Sequence, residues 1–193
     1  MTGTWDFNLE FQIKKHNLAN ILFFESAILR ANYSEVIVNE EGRVLGYLFG
    51  EIPGKAMPML PDTVRSVRFL IKAFYHYIAR HLGPGREVME VVNRISRDES
   101  ELLEKRRKTD AYVNIFFVAS ALRGQGWGKR LMDKFVEQSK SYGAKRIYLW
   151  TDLGCNYQFY DHAGFTVVAR INSPLLEKPE EEFNGFAYAK VIS

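Results

Sequence analysis

The sequence predicts an α/β fold in which a β-sheet is flanked by helices, with a two-helix insertion between an N-terminal hairpin and the central strand. Two observations support this prediction. A strand, a glycine-rich turn, a helix and another strand follow one another over residues 111–150, which is typical of a βαβ unit with parallel strands. Upstream, two β-rich segments flank a short turn, as in an antiparallel hairpin. With 47% hydrophobic and 25% charged residues, the composition indicates a single globular domain over residues 1–193.

The first part of the chain is predicted to form one helix and the hairpin. Residues 17–30 carry apolar side chains at helical spacing. Residues 33–39 and 43–52 are rich in β-branched and aromatic residues, and a short turn ending at Gly42 separates them. Two β-type segments on either side of a glycine-containing turn indicate a hairpin.

Residues 53–109 differ in composition and are predicted to be a helical insertion. A stretch rich in proline and glycine opens it, and apolar residues then recur at helical spacing on both sides of Gly83-Pro84-Gly85. The second helical pattern continues to Lys108 as a strongly charged segment. Its basic run, residues 105–108, is typical of a solvated helix end.

The second half of the chain is predicted to supply the rest of the sheet. Residues 111–119 form a nearly continuous β-type run, as expected of a central strand buried on both faces. Residues 129–142 are predicted to form an amphipathic helix, because Leu131 and Phe135 lie four residues apart. The remaining predicted elements are a strand at 146–150, a short helix at 156–163, and two closing strands at 165–171 and 186–192.

Composition argues against several classes of protein. The net charge of +3 lacks the dense basic pattern of a nucleic-acid binder, and no apolar run approaches the ~20 residues of a membrane span. Cys155 is the only cysteine, so no intrachain disulfide can form. Asp6 and Glu10 stand where a secretory signal would be basic and apolar, so we expect a cytoplasmic protein. Neither His-Glu-x-x-His nor paired-cysteine spacing occurs, so we predict no metal site.

Three alternating glycines stand where the central strand passes into the next helix, in the segment Arg123-Gly124-Gln125-Gly126-Trp127-Gly128-Lys129. The spacing fits neither a Walker loop, which needs glycine at position 123, nor the dinucleotide fingerprint, whose third glycine comes one residue later. Glycines still let the backbone approach an anion, and N–H groups at a helix start point toward it. The turn is therefore predicted to hold a pyrophosphate, with Lys129, Arg130 and Lys134 as nearby cations. Close packing of strand against helix is the alternative explanation.

Several motifs follow one another in a fixed order around this turn. The strand end Phe116-Phe117-Val118 precedes a spacer at residues 119–122, then Arg123-Gly124-x-Gly126-x-Gly128, with Leu131 one turn later. Further along stand Asn156, Phe159-Tyr160 and Gly164-Phe165. In this order the motifs resemble the acyl-CoA signature and the second conserved segment of the GNAT N-acetyltransferase superfamily. The resemblance covers residues 33–52 and 111–192 and leaves the insertion outside it.

The resemblance implies a fold and a set of binding residues. The sheet would be mixed and strongly twisted, with strands that splay apart near Val118 and Thr151 to admit the thioester of acetyl-CoA. Residues 111–171 would form the acyl-CoA-binding core, in which the pantetheine arm pairs like an added strand with residues 117–120. The implied cofactor-binding residues are Phe117, Val118, Arg123, Gly124, Gln125, Gly126, Trp127, Gly128, Lys129 and Asn156.

The resemblance also implies direct transfer of an acetyl group to an amine. Proximity would supply much of the acceleration, and a backbone N–H near Val118 would stabilise the oxyanion. Tyr160 matches the family's tyrosine that is often assigned as general acid to the departing thiolate. A purely structural role in the core is the alternative for this aromatic residue. The family's strand glutamate is missing, because Tyr112-Val113-Asn114 supplies no carboxylate. Asp110, Glu51 and a water held by Asn114 are the alternatives for the base.

The predicted function is N-acetylation of a primary amine on a small molecule or peptide, with acetyl-CoA as co-substrate. A non-catalytic acyl-CoA-binding regulatory protein is the alternative. Nucleic-acid binding through residues 105–108 is a weaker third hypothesis, and we expect neither a nucleic-acid nor a membrane partner. We hypothesise that residues 62–108 cover the acceptor side and set substrate choice. A homodimer interface is the competing explanation for them.

Overall fold

The described part of the chain contains a six-stranded mixed sheet. The computed structural model describes residues 25–57, 62–78, 84–174, 176, 178 and 181–192. The strands are β1 (Tyr33–Val38), β2 (Val44–Glu51), β3 (Ala111–Val118), β4 (Arg146–Asp152), β5 (Thr166–Ile171) and β6 (Gly185–Val191). Their spatial order is β1-β2-β3-β4-β6-β5, in which β3 and β4 are parallel and the other neighbours antiparallel. The predicted α/β fold, with its hairpin and βαβ unit, is confirmed.

The helices follow the predicted order with shifted ends. Residues 25–30 are helical, and the earlier part of the predicted first helix lies outside the described residues. The insertion contains two helices, and its second helix ends before the basic run at 105–108, which therefore lies in a turn and not at a helix end. The helices are α1 (Asp62–Ile78), α2 (Gly85–Leu103), α3 (Trp127–Ser141) and α4 (Gln158–His162). Among the described residues, no helix is long and apolar enough to cross a membrane.

β3 and β4 pair only where they begin. The parallel ladder joins Ala111 to Ile147 and Tyr112 to Tyr148, and pairing stops there. β4 nevertheless stays paired with β6 along its whole length. Residues 113–118 and 149–152 therefore line a wedge-shaped gap between two strands of the same sheet. We call it the strand gap.

The prediction that the central strand is buried on both faces along its length is wrong. Ala111, Tyr112 and Val113 are buried, but residues 114–118 are only half-buried. The change falls where β4 diverges, because a strand that loses a neighbour loses the side chains that would cover it. An apolar β-type run in the sequence therefore does not by itself indicate burial along the whole strand.

Two clusters of buried side chains hold helices to the opposite faces of the sheet. One cluster includes Leu131 and Phe135 of α3 and Tyr160 of α4. The other includes Leu102 of α2, together with Tyr148, whose hydroxyl donates a hydrogen bond to the Leu102 carbonyl at 2.5 Å. The second helix of the insertion is therefore part of the core. It lies on the face opposite α3.

Candidate functional site

On the side of the strand gap, the end of β3 pairs with no other strand among the described residues. On the side of β2, Phe117 is paired with Tyr47 and the Ala119 N–H donates to the Leu45 carbonyl at 2.8 Å. Residues of an antiparallel strand alternate in the direction of their N–H and C=O groups. The backbone groups of Phe116 and Val118 therefore point away from β2, into the gap. β4 does not pair with them there.

The glycine-rich turn closes one end of the strand gap, and two of its glycines have left-handed backbone conformations. Gly124 has φ +74° and Gly126 has φ +79°, which L-residues with a side chain rarely adopt. A Cβ at either position would meet no atom within 4 Å, so open space surrounds this backbone. Gly126 is the N-cap of α3, and the first turn of α3, which is described in full, carries no acidic side chain. The backbone N–H groups of that turn have no intrahelical acceptor.

The third glycine lies against neighbouring side chains. A Cβ on Gly128 would lie 3.4 Å from ring atoms of both Phe116 and Phe159 and 3.7 Å from a methyl of Val118. Gly128 thus brings together the start of α3, the end of β3 and α4. A Cβ at those distances would make ordinary van der Waals contact, so packing alone does not demand glycine at position 128.

Cationic and polar side chains surround the turn. Arg123 is exposed, and the guanidinium carbon of Arg130 lies 4.9 Å from the centre of the Trp127 ring. Lys129 forms an ion pair with Asp133, and Lys134 forms one with Glu35. The amide nitrogen of Gln125 donates to the Ala121 carbonyl at 2.8 Å, which fastens the turn to the short 3-10 helix before it.

Tyr160 lies in an aromatic cluster that includes Phe116 and Phe159, the two rings closest to Gly128. Its ring centre is 6.4 Å from that of Phe116, 5.4 Å from Phe159 and 5.5 Å from Tyr188. Burial raises the pKa of the Tyr160 hydroxyl, and the neighbouring Cys155, Tyr188 and Asp152 raise it further. The hydroxyl therefore keeps its proton at neutral pH, as a general acid must.

Asn156 lies in the segment that joins β4 to α4. The residue is exposed, and its main-chain carbonyl accepts a hydrogen bond from the Phe159 N–H at 3.3 Å. The turn before it is held by Asp152, whose carboxylate accepts from the N–H groups of Gly154 and Cys155 at 2.8 and 3.0 Å. The structure thus places Asn156 just after the end of β4, on the other side of the strand gap from β3.

Sequence comparison identifies the family. The model of the acetyltransferase (GNAT) family matches residues 4–165. The chain belongs to the GNAT acetyltransferase family. Members of this family are acyl-CoA-dependent transferases. No curated protein sequence matches the chain.

Solved structures of acetyltransferases are similar to this chain at low sequence identity. An acetyltransferase from Bacillus cereus ATCC 14579 is 13% identical, with a TM-score of 0.47, over 90% of this chain and 86% of that one. A GNAT-family acetyltransferase from Staphylococcus aureus Mu50 is 14% identical, with a TM-score of 0.49, over 96% and 85%. Nourseothricin acetyltransferase is 13% identical, with a TM-score of 0.48, over 83% of this chain and 65% of its own.

The two carboxylates considered as the base in this GNAT chain are both held by arginines. Asp110 is buried and accepts hydrogen bonds from Arg146 at 3.0 and 2.5 Å. Glu51 accepts from Arg106 at 2.7 Å and lies opposite Tyr112 in the sheet. Both lie at the end of β3 where β4 is still paired. The sequence indicated neither ion pair, because the partners are far apart along the chain.

Asn114, which bears on the third alternative, occupies a β-bulge that the sequence did not predict. In the ladder of β2 and β3, Phe49 pairs with Ile115 and Gly50 with Val113, so Asn114 is the extra residue. Its side-chain nitrogen donates to the Ala27 carbonyl at 3.0 Å.

In the described residues, no group of three His, Cys, Asp or Glu side chains comes together as a metal site would require.

Proposed function

We propose that this GNAT protein transfers the acetyl group of acetyl-CoA to a primary amine by direct attack. The proposal rests above all on the strand gap, where the backbone groups of Phe116 and Val118 point away from β2 and are not paired with β4, beside the glycine-rich turn. Such an arrangement suits a ligand that has both an extended amide-containing arm and a pyrophosphate.

The residues present fit acetyl-CoA. Its pantetheine arm has amide groups that would pair, in the manner of an added strand, with the edge of β3 that borders the strand gap. The open backbone of Gly124 and Gly126 and the uncapped start of α3 would hold the pyrophosphate. Asn156, exposed at the end of β4, would contact the pantetheine arm.

The chain needs few groups for the chemistry. Bound acetyl-CoA supplies an acyl thioester. By holding the amine against it, the protein makes the attack effectively unimolecular, and the Val118 N–H, directed into the strand gap, would donate to the developing oxyanion. Tyr160, which is protonated, would donate its proton to the departing sulfur.

Non-catalytic binding of acyl-CoA is the second candidate, and a specific observation favours it. Asp110 and Glu51 already form ion pairs with arginines, so neither carboxylate is available as a base without breaking such a pair. A protein of this kind would bind acetyl-CoA through the same turn and release no thiol in the presence of amines.

Replacement of Tyr160 tests the catalytic proposal. We expect Tyr160→Phe to lower kcat by about 100-fold or more, since general acid catalysis contributes ~10² to 10⁴ in rate, and to leave the Kd for acetyl-CoA unchanged. Tyr157→Phe is the matched control, because Tyr157 precedes α4 and packs on Phe186 with ring centres 5.1 Å apart. Thiol release would be followed with a panel of small-molecule and peptide amines. Wild-type protein that binds acetyl-CoA and releases no thiol with any amine would favour the non-catalytic candidate.

The insertion is proposed to set the choice of acceptor. Lys72 of α1 forms an ion pair with Glu25 at 2.6 Å, and Glu99 of α2 forms one with Arg30 at 3.5 Å. Both helices therefore touch the helical segment 25–30, which in turn contacts β3 at the strand gap through Ala27. The homodimer alternative is supported by exposed apolar side chains on α1. They are Val67, Leu70, Ile71, Phe74 and Tyr75, each 47–65% exposed.

A further inference from the structure

Asn114 has no strand partner on either side of β3. The pairing of β3 with β4 ends at Tyr112, and the bulge leaves Asn114 without a partner in the ladder with β2. A bulge redirects a side chain relative to its neighbours and commonly lies next to an active site. The local backbone thus sets Asn114 apart where the strand gap begins.

The side chain of Asn114 has an unpaired acceptor of known orientation. Its nitrogen donates to the Ala27 carbonyl at 3.0 Å, and a carbonyl cannot donate in return, so this contact determines which end of the amide is oxygen. That oxygen, Oδ1, is buried and has no hydrogen-bond partner in the described part of the chain. Leaving a buried acceptor unpaired is unfavourable, so such groups in native proteins usually have a ligand or an ordered water.

The two other unpaired buried polar atoms of the described residues lie elsewhere. They belong to Tyr33, whose ring packs on Phe135 of α3 with centres 5.1 Å apart, and to Ser139, also on α3. Both are core positions on the face of the sheet that α3 covers. Of these atoms, only Asn114 Oδ1 belongs to a strand that borders the gap.

We infer that Asn114 is a positioning residue for the acceptor: its Oδ1 accepts a hydrogen bond from the attacking amine, directly or through one ordered water. This inference rests on the proposed acetyl transfer. It assigns to an amide oxygen the orienting role that a carboxylate would otherwise fill, and it removes the need for Asp110 or Glu51 to leave its arginine.

The proposed step is balanced without a basic side chain. The amine enters neutral, a C–N bond forms and the C–S bond breaks. The nitrogen loses one proton to water beside Asn114, and the sulfur gains one from Tyr160, which is reprotonated from solvent. An amide oxygen is not protonated near neutral pH, so Asn114 orients the nitrogen lone pair and does not take the proton.

The pH profile of the wild-type protein is the first test, and it requires no variant. With an orienting amide and no enzyme base, kcat/KM for the acceptor should rise through one inflection at the pKa of the free amine. Two acceptors whose pKa values differ should shift that inflection by the same difference. A further inflection near neutral pH that does not depend on the amine would overturn the inference, because it would reveal a titrating base.

Two substitutions form the second test. Asn114→Ala removes the acceptor and should lower kcat/KM for the amine about tenfold or more, with the Kd for acetyl-CoA unchanged. Asn114→Ser replaces the amide with a shorter hydroxyl that withdraws the oxygen from the acceptor, so it should show the same kinetic loss if Asn114→Ala folds poorly. A folded variant with wild-type kcat/KM at every pH would refute the role of Asn114. If instead the wild-type protein binds acetyl-CoA and acetylates no amine, the proposed function itself fails, and the two failures are distinguishable.

Discussion

The proposed pyrophosphate site can be tested by placing a negative charge at Gly126 without altering the backbone. Gly126 has φ +79°, and among residues with side chains Asn and Asp adopt this region most readily. Gly126→Asp and Gly126→Asn therefore have nearly the same shape and differ in charge. A carboxylate at a helix start is favourable by ~0.3–1 kcal/mol, so the Asp variant should fold at least as well as the Asn variant.

The effect of the Asp variant on binding should be large. A Cβ at Gly126 meets no atom within 4 Å, so the new carboxylate would enter the space assigned to the pyrophosphate. Two unit charges about 6 Å apart at an effective dielectric constant of about 20 repel by about 3 kcal/mol. That energy corresponds to a loss of about 100-fold in acetyl-CoA affinity.

Calorimetry and thermal unfolding would measure this loss. At a concentration of about 100 times the wild-type Kd, acetyl-CoA should stabilise the wild-type protein by about 2.7 kcal/mol and the Asp variant by about 0.4 kcal/mol. The Asn variant should stay close to wild type. Equal binding by the Asp and Asn variants would refute the assignment of the turn to the pyrophosphate, and failure of the wild-type protein to bind would refute the proposal of an acyl-CoA site.

Two further predictions concern the base and the insertion. Asp110→Asn should lower the free energy of unfolding by about 3–5 kcal/mol in urea titrations, because it removes the charge that pairs with Arg146 in a buried ion pair. The folded variant should keep the wild-type pH profile of activity. A stable but inactive variant would instead make Asp110 the base. Phe74→Ala removes a side chain that is 65% exposed, so stability should change by less than about 0.5 kcal/mol. If α1 borders the acceptor site, the variant raises the KM for the amine without changing the sedimentation coefficient, whereas dissociation of a wild-type dimer would support the homodimer interface.

The sequence predicted the elements whose determinants are local. The hairpin of β1 and β2 follows from two β-rich segments and a glycine turn. The start of α3 follows from glycines at positions where the backbone is left-handed. The order of motifs around Gly124–Gly128 was also sufficient to indicate the family, which the family model confirms over residues 4–165. In each case the evidence lay within a few residues of the feature.

The features that were missed depend on residues far apart in the sequence. Whether Asp110 is available depends on Arg146, and whether Glu51 is available depends on Arg106. The burial of β3 depends on where β4 diverges from it, which no pattern within residues 111–119 records. The bulge at Asn114 likewise arises from the register between β2 and β3. The sequence of β3 alone does not show which of its residues is left unpaired by that register.

The insertion connects these distant features to the proposed chemistry. A test that deletes residues 62–108 would not isolate a lid, because Leu102 is fully buried in the core and the Lys105 carbonyl accepts a hydrogen bond from Arg146 at 2.6 Å. α1 is a better subject for such tests, since the side chains of its ion pair between Lys72 and Glu25 are 39% and 37% exposed. Exposed pairs contribute about 0–1 kcal/mol to stability, so α1 can be altered at small cost to the fold. Any change in acceptor preference that follows would then reach the strand gap through segment 25–30 and its contact with Asn114.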